Sequence, residues 1–345
     1  MLYVTTRDSR DAYTANRALS ENRGPEGGFY VPMRLPHFEA EELKGLLEKS
    51  FAQTVAEVLN LFFGTQLDGW AVEFGIGRYP LRLNVLGSKL IVAEVWHNPL
   101  YRFERLVSGV EKVIRHSDQI GSTGSDWLMI ASRIAVLFGI YGQLRQNNVL
   151  HGDQKLDISV PAGNFSATMA AWYARAMGLP IGTIVCCCNE NAGLWNLLHK
   201  GLLHTGNTAV STHTPACDYA VPDDLERLIF AMLGRQETAR FCEICRLGEL
   251  YELDAEQLNR LREGLHISVI SDKRMASTIP NLYKTSGYVA EPAAALAYSG
   301  LMDYRASTGE SRTALILSEE SPRFSAQFIA TCMNITLAEL KQILD

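Results

Sequence analysis

Polar and glycine residues directly follow a predicted β-strand over Leu156–Val160, at a place where α/β proteins bind ligands. A glycine there permits a tight turn, and free backbone N–H groups at the start of the next helix favour a phosphate or another anion. One glycine is a weak signal, so the segment could also form only a turn with a helix cap. The residues that could bind an anion or a cofactor are Gly163, Asn164, Phe165, Ser166, Ala167 and Thr168.

Two further predicted strands end in polar side chains. Asn189 and Asn191 follow a strand over Ile181–Cys187 and could contact a substrate, although capping of the next helix explains them as well. Ser318 ends a strand over Thr313–Leu317, where its hydroxyl could meet a ring nitrogen. These strand ends are the second and third candidate ligand sites.

A charged cluster follows a strand-like run over Lys89–Val95. Within it, Arg102 and Arg105 flank Glu104, and His97 precedes all three. Taken alone, this pattern is typical of a solvated loop.

The hydrophobic periodicity predicts the α/β framework that these residues need. Phe51–Phe63 repeats apolar residues at helical spacing, while Trp127–Leu144 is apolar nearly all round and predicts a buried helix. Strand, helix and strand follow one another between Leu156 and Cys187 as one βαβ unit. Strands and helices keep alternating up to a helix predicted over Pro322–Cys332. This order predicts a parallel sheet with helices on both faces.

Composition and charge limit the classes of partner. Of the 345 residues, 47% are apolar and 20% are charged, and the net charge is −6 at pH 7. These values are typical of a globular protein and argue against a nucleic-acid or membrane partner. Seven scattered cysteines without a disulfide framework indicate reduced thiols, so we expect a cytoplasmic protein. Cys242 and Cys245 form a C-x-x-C pair, but the sequence has no second such pair to complete a set of four ligands, so we expect no metal site.

Several segments resemble motifs of threonine synthase, a pyridoxal-phosphate (PLP) enzyme of the second fold type. Gly24–Pro32 resembles A-P-D-G-G-L-Y-V-P, Val160–Phe165 resembles V-P-x-G-N-F, and Asn189-Glu190-Asn191 resembles N-E-N-D. Such matches run in order along nearly the whole chain. The resemblance implies a fold-type II PLP-enzyme-like (tryptophan synthase β-like) α/β fold. It also implies a threonine synthase-like N-terminal module over 1–95 and an α/β domain with a remnant of the cofactor site over 96–345.

Two departures from the family pattern bear on catalysis. The family's cofactor lysine lies in H-G-P-T-L-A-F-K-D, and Glu104 occupies its position within His97–Arg105. A carboxylate has no amine with which to form a Schiff base. In addition, only 16 residues, 106–121, separate Arg105 from Ser122. The resemblance therefore implies that a small subdomain is largely deleted.

Three interpretations of the function stay open. In the first, the protein is a non-catalytic or ligand-binding relative of threonine synthase that retains the anion loop. It then binds no cofactor covalently, although PLP or another phosphate ligand could bind non-covalently. In the second, it is a PLP-independent, lyase-like enzyme for a small anionic, amino-acid-like substrate. Glu104 would then act as the acid/base and His97 as a second proton carrier, while Arg102 and Arg105 bind the substrate.

A third interpretation is a PLP-dependent lyase that uses another lysine. Lys89, Lys112 and Lys155 are nearest in sequence, but none has the family's sequence context, and the geometry of a nucleophile is demanding. Loss of the small subdomain would also leave a sheet face to be covered, which suggests a homodimer. The expected partners are thus a small anionic molecule and a second copy of the chain.

Overall fold

Three β-sheets lie within the residues that the computed structural model describes, which are 1–8, 10–76, 81–87, 89–95, 107–112 and 126–345. Their strands are β1 (Leu2–Thr5), β2 (Tyr13–Thr14), β3 (Tyr30–Pro32), β4 (Arg82–Val85), β5 (Leu90–Glu94), β6 (Leu156–Pro161), β7 (Ile181–Cys188), β8 (Leu202–His204), β9 (Leu250–Glu252), β10 (Leu265–Val269) and β11 (Ala314–Ser318). β2, β1 and β3 form an N-terminal antiparallel sheet, and β8 pairs with β9. The other six strands form the central sheet.

The central sheet is mixed, with the strand order β10-β7-β6-β11-β5-β4. β10, β7, β6, β11 and β5 are parallel, whereas β4 runs antiparallel to β5 at the edge. The prediction of a wholly parallel sheet is wrong for β4, because only a few residues connect β4 to β5. A connection that short joins antiparallel strands, since a parallel pair needs a long crossover.

Helices cover both faces of this sheet, as predicted. They are α1 (Ala15–Ser20), α2 (Ala40–Leu47), α3 (Phe51–Phe63), α4 (Gly69–Ile76), α5 (described over 107–112), α6 (Asp126–Gln146), α7 (Ser166–Ala176), α8 (Gly193–Lys200), α9 (Leu225–Leu233), α10 (Arg235–Leu247), α11 (Ala255–Arg262), α12 (Asp272–Ser286), α13 (Pro292–Thr308), α14 (Ala326–Met333) and α15 (Leu337–Leu344). On β6, Ile158 and Val160 belong to the core cluster that contains α6 and α7. Ser159, which lies between these two residues, faces the other side of the sheet, and its Oγ donates to Ala297 O of α13 at 2.8 Å.

Most predicted elements are confirmed. α3 has the predicted bounds and is capped by Gly64, whose φ of 65° is the left-handed conformation that glycine adopts freely. The βαβ unit is present as β6, α7 and β7. The single helix predicted over Pro322–Cys332 is wrong, since a 3₁₀ turn over Pro322–Ser325 precedes α14. The two are separate because Ser325, with φ −112° and ψ 21°, leaves the α-helical region.

The long apolar helix α6 lies in the core between α3 and α7, as its uniform hydrophobicity predicts. A side chain at Gly139 would clash with the ring of Phe51, because an added Cβ would lie 2.6 Å from that ring. This glycine therefore permits the close approach of α3 and α6. α6 is long and apolar enough to cross a membrane, but 89% of its most apolar stretch is buried inside the protein.

The predicted division between residues 1–95 and 96–345 runs through the central sheet. β4 and β5 precede it, and β6, β7, β10 and β11 follow it. β5 and β11 are hydrogen-bonded neighbours across this division. The division into two domains stays a prediction. The predicted loss of a small subdomain falls on 106–121, of which only 107–112 are described, and stays a prediction.

A buried ion pair joins α9 to the N-terminal sheet. The guanidinium of Arg227 donates to Asp224 and lies 4.2 Å from the centre of the Phe29 ring, and its Nε and Nη2 point to the carbonyl of Tyr30 at 3.4 Å. The Asp224 backbone N–H in turn donates to Asn164 O at 3.0 Å. One pair thus connects the N-terminal sheet to the loop between β6 and α7.

We expect Asp224→Ala to destabilise the protein by about 3–5 kcal/mol, because it leaves the fully buried Arg227 without a counter-charge. The control is Asp224→Ala combined with Arg227→Met, which removes both charges and should cost less than the single change. Urea unfolding monitored by far-UV circular dichroism measures both. A single variant as stable as wild type would show that the pair does not anchor α9.

Candidate functional site

A cavity of about 460 Å³ opens at the carboxyl ends of β6 and β11. The start of α7, a face of α6 and the 3₁₀ turn over Pro215–Cys217 form its walls. The lining residues that carry polar groups or form the predicted anion loop are Arg133, Gly163, Asn164, Ser166, Ala167, Tyr219, Glu291, Glu319 and Glu320. Two of the three strand ends singled out from the sequence, those of β6 and β11, therefore meet in one cavity.

Left-handed backbone conformations shape the loop before α7. Gly163 has a φ of 48°, and Phe165 has a φ of 75°, which is unusual for a side chain of its size. The buried ring of Phe165 and its N–H donation to Ala162 O at 2.8 Å hold this strained turn. Asn164 Oδ1 then accepts from the N–H and the hydroxyl of Ser166, at 3.1 and 2.6 Å.

Donors in this loop stay available for a ligand. The N–H groups of Asn164 and Ala167 donate to no acceptor within the described part of the chain, and both residues line the cavity. The Thr168 hydroxyl, one residue further, is buried and has no partner among the described residues. Amide donors at the positive end of a helix suit an anion, and binding of an anion at this loop stays a prediction.

Arg133 is a cavity residue that the sequence reasoning missed. Its Nε and Nη2 donate to the two carboxylate oxygens of Glu319, both at 2.6 Å, and its Nη1 donates to Ser166 Oγ at 3.1 Å. The Arg133 side chain is only 9% exposed, and that of Glu319 is 27% exposed. The available signal was that Arg133 is the one charged residue in the apolar stretch Trp127–Leu144.

Among the described residues that line the cavity, three carboxyl groups oppose the guanidinium of Arg133. Glu291 is buried and caps α13 by accepting from the N–H groups of Ala293 and Ala294, at 2.5 and 2.9 Å. Burial raises the pKa of Glu291 to about 8, with further contributions from Glu320 and Glu319. The cavity thus holds a buried carboxyl group that is largely protonated at neutral pH.

Asn189 and Asn191 lie apart from this cavity, in a polar network at the end of β7. Asn189 Nδ2 donates to Asp218 Oδ1 at 2.7 Å and to Thr214 Oγ1 at 3.2 Å. Asn191 exchanges hydrogen bonds with the backbone of Val210. These amides hold the segment between β8 and α9 against the sheet, and neither residue lines the cavity. Their predicted contact with a substrate stays a prediction.

Ser318 lies at the end of β11, fully buried between two residues that line the cavity, Leu317 and Glu319. Its hydroxyl donates to the carbonyl of Glu320 at 3.4 Å. The remaining predicted site residues, Glu104, His97, Arg102 and Arg105, lie outside the described residues. Their predicted roles, and the enzyme hypothesis that depends on them, stay predictions.

All nine lysines of the sequence lie among the described residues, and none lines the cavity. Lys155 directly precedes β6 and Lys89 directly precedes β5, so both lie at the opposite edge of the sheet from the strand ends that form the cavity. Lys89 Nζ donates to Ser311 Oγ there, at 3.1 Å. Lys112 is exposed at the end of the described part of α5.

The cysteines form no site of their own in the described part of the chain. All seven are free thiols, and Cys242 and Cys245 lie on α10. No group of three or more histidine, cysteine or acidic residues that could hold a metal ion occurs among the residues that the structure describes.

The sheet and its strand-end cavity define an α/β fold of the fold-type II PLP-enzyme class. More narrowly, the chain has a threonine synthase-like fold, which confirms the resemblance seen in the sequence. Residues 2–72 match the family "Threonine synthase N terminus". The structure of PLP-bound threonine synthase from Brucella melitensis aligns with a TM-score of 0.84 at 18% identity, covering 100% of this chain and 94% of that one.

Curated relatives are similar over shorter segments. Threonine synthase of Eremothecium gossypii is 31% identical over 132 residues, covering 38% of this chain and 25% of that protein. Threonine synthase of Pseudomonas aeruginosa is 25% identical over 187 residues, covering 53% of this chain and 38% of that protein. The chain thus matches well under half the length of these relatives.

The cavity fits only part of the cofactor that this fold class implies. The amide donors of the loop and Arg133 suit a phosphate group. A Schiff base with the aldehyde needs a lysine amine, and no lysine lines the cavity. The described lining residues therefore suit a phosphate and include no amine that could form the Schiff base.

We expect Glu291→Gln to flatten the dependence of stability on pH. A carboxyl group with a raised pKa in the folded state keeps a proton that the unfolded chain releases, so its contribution is full below the usual pKa of 4.5 and is lost as pH rises toward 8. Over that range the free energy of unfolding should fall with pH more steeply in the wild type than in the variant, by up to about 1.4 kcal/mol per pH unit. Urea unfolding between pH 5 and 8 measures it, and equal slopes would contradict the assignment.

Proposed function

We propose that this protein is a ligand-binding, non-catalytic relative of threonine synthase. Its cavity takes a small molecule with a phosphate or another anionic group, bound non-covalently. This proposal is carried by one observation with two parts, both made at the same cavity. The loop donors of Asn164 and Ala167 are available beside Arg133, while none of the nine lysines lines the same space.

Sheet geometry argues against a lysine from elsewhere. The cavity lining begins at Val160, five residues beyond Lys155, and a strand rises about 3.3 Å per residue, so the Lys155 backbone lies roughly 17 Å from the cavity edge. A lysine side chain spans only about a third of that distance. Lys89 is placed in the same way at the start of β5. Neither amine can reach the cavity while the sheet is intact.

The loop supports an anionic ligand for electrostatic reasons. The first turn of α7 offers backbone N–H donors, and the helix dipole adds a partial positive charge there. The Brucella relative is a PLP-bound enzyme, which supports a phosphate-bearing ligand for the equivalent space. Substrate and pathway do not follow from that likeness, because unrelated functions share one fold. The cytoplasmic location and the homodimer stay predictions from the sequence.

The first test concerns covalent binding of PLP. The protein is incubated with one equivalent of PLP, reduced with borohydride and digested for mass spectrometry. We expect no lysine to be modified stoichiometrically and no absorption band of an internal Schiff base, because every lysine lies outside the cavity. At excess PLP the exposed lysines should react without selectivity, which serves as the positive control. One lysine modified in full at equimolar PLP would overturn the non-catalytic proposal.

The second test concerns the anion loop. Inorganic phosphate and O-phospho-L-serine serve as probes, and the shift in Tm measures binding. Ala167→Asp places a carboxylate among the loop donors and should weaken binding of both probes by about tenfold or more, since it repels the anion and occupies its donors. Ala167→Asn has the same size without the charge and should keep most of the affinity.

Ala167→Asp should fold, because an acidic residue in the first turn of a helix is stabilising, and Ala167→Asn should fold because residue 167 faces the open cavity. Far-UV circular dichroism without ligand checks this. If wild type shows no shift with either probe, or if the Asp and Asn variants bind equally well, the loop is not the anion site.

A further inference from the structure

We infer that Glu319 is a built-in competitor for the anion site. Its carboxylate neutralises Arg133, and a phosphate group on the ligand displaces it from that guanidinium. This inference rests on the proposed function, because it concerns the same cavity. It goes further by naming the group that opposes binding and the group that receives the phosphate.

Arg133 is placed to receive an anion of either kind. Its Nε and Nη2 form a two-pronged contact with the Glu319 carboxylate, and the same fork geometry suits a phosphate. Its third contact, from Nη1 to Ser166 Oγ at 3.1 Å, places the guanidinium against the first residue of α7. The charge of Arg133 is therefore next to the loop donors of Asn164 and Ala167.

The two partners of this pair differ in their freedom to move. Arg133 projects from the core helix α6, and its side chain is 9% exposed. Glu319 follows β11 in a segment outside regular secondary structure, and its side chain is 27% exposed. Because Glu319 is the more exposed partner and lies outside the core helix, its side chain can rotate toward solvent while Arg133 stays in place.

Exchange of one anion for another also avoids the main energetic obstacle. A buried guanidinium without a counter-charge is strongly destabilising, which holds Glu319 in place while the cavity has no ligand. A phosphate that takes over the two donors keeps Arg133 paired. The released Glu319 carboxylate regains its hydration. Two anions of different charge therefore compete for Arg133, and the guanidinium is paired in both states.

The test compares two glutamates that line the same cavity. Isothermal titration at constant ionic strength measures binding of inorganic phosphate and of O-phospho-L-serine. Glu319→Gln should bind inorganic phosphate about tenfold more tightly than wild type, because the competitor has lost its charge. Glu320→Gln makes the same charge change in the neighbouring residue and should raise the affinity much less. Arg133→Gln combined with Glu319→Gln should abolish the gain.

The outcomes separate this inference from the proposed function. A gain specific to Glu319→Gln, lost in the double variant, supports the inference. If Glu319→Gln and Glu320→Gln bind phosphate equally well, the inference is overturned, while the proposed function survives so long as Ala167→Asp still weakens binding. If none of the proteins binds either probe, both fail. Glu319→Ala gives a second measurement should the glutamine side chain itself hold Arg133.

Discussion

The site depends on one buried positive charge in an otherwise apolar helix. Arg133 lies on α6, which packs in the centre of the protein, and its guanidinium has to be neutralised where it is. Glu319 supplies the charge, and Ser166 supplies a further acceptor. The Ser166 hydroxyl in turn donates to the side-chain oxygen of Asn164. The backbone carbonyl of Asn164 accepts a hydrogen bond from the N–H of Asp224. Through these contacts the charge couples α6, the loop before α7, the segment after β11 and the start of α9.

The second consequence of this arrangement is the electrostatic character of the cavity. The only guanidinium that lines it within the described residues is already paired, and two more carboxyl groups, Glu291 and Glu320, line the same space. An anion that binds in the proposed way must therefore carry enough negative charge to compete with a carboxylate. A phosphate meets that requirement better than a carboxylate does, because it carries more charge and more acceptor oxygens. The threonine synthase-like fold provides the location of the cavity, whereas these side chains decide its chemistry.

Much of the fold could be predicted because local patterns carry it. The apolar spacing of Phe51–Phe63 with its terminal glycine predicts α3 with the observed bounds, and the βαβ alternation predicts β6, α7 and β7. The 3₁₀ turn before α14 was not predictable from periodicity, because it depends on the backbone angles of Ser325. The antiparallel edge strand β4 was missed as well, because its four residues, although alternately polar and apolar, are too short a run to indicate a strand. Pairing of β5 with β11 joins segments more than 200 residues apart, which no local pattern indicates.

By itself, the sequence determined the α/β class and the residues of the segment Gly163–Thr168, and its resemblance to the family predicts that Glu104 replaces the family's lysine. These follow from residue identity and from contacts between near neighbours along the chain. Only the tertiary structure decided that Arg133 and Glu319, 186 residues apart, form a pair at that loop, and that Asn189 is engaged in a network with Asp218. Burial and charge pairing act through space, so a residue's role in the cavity depends on which distant segments fold against it.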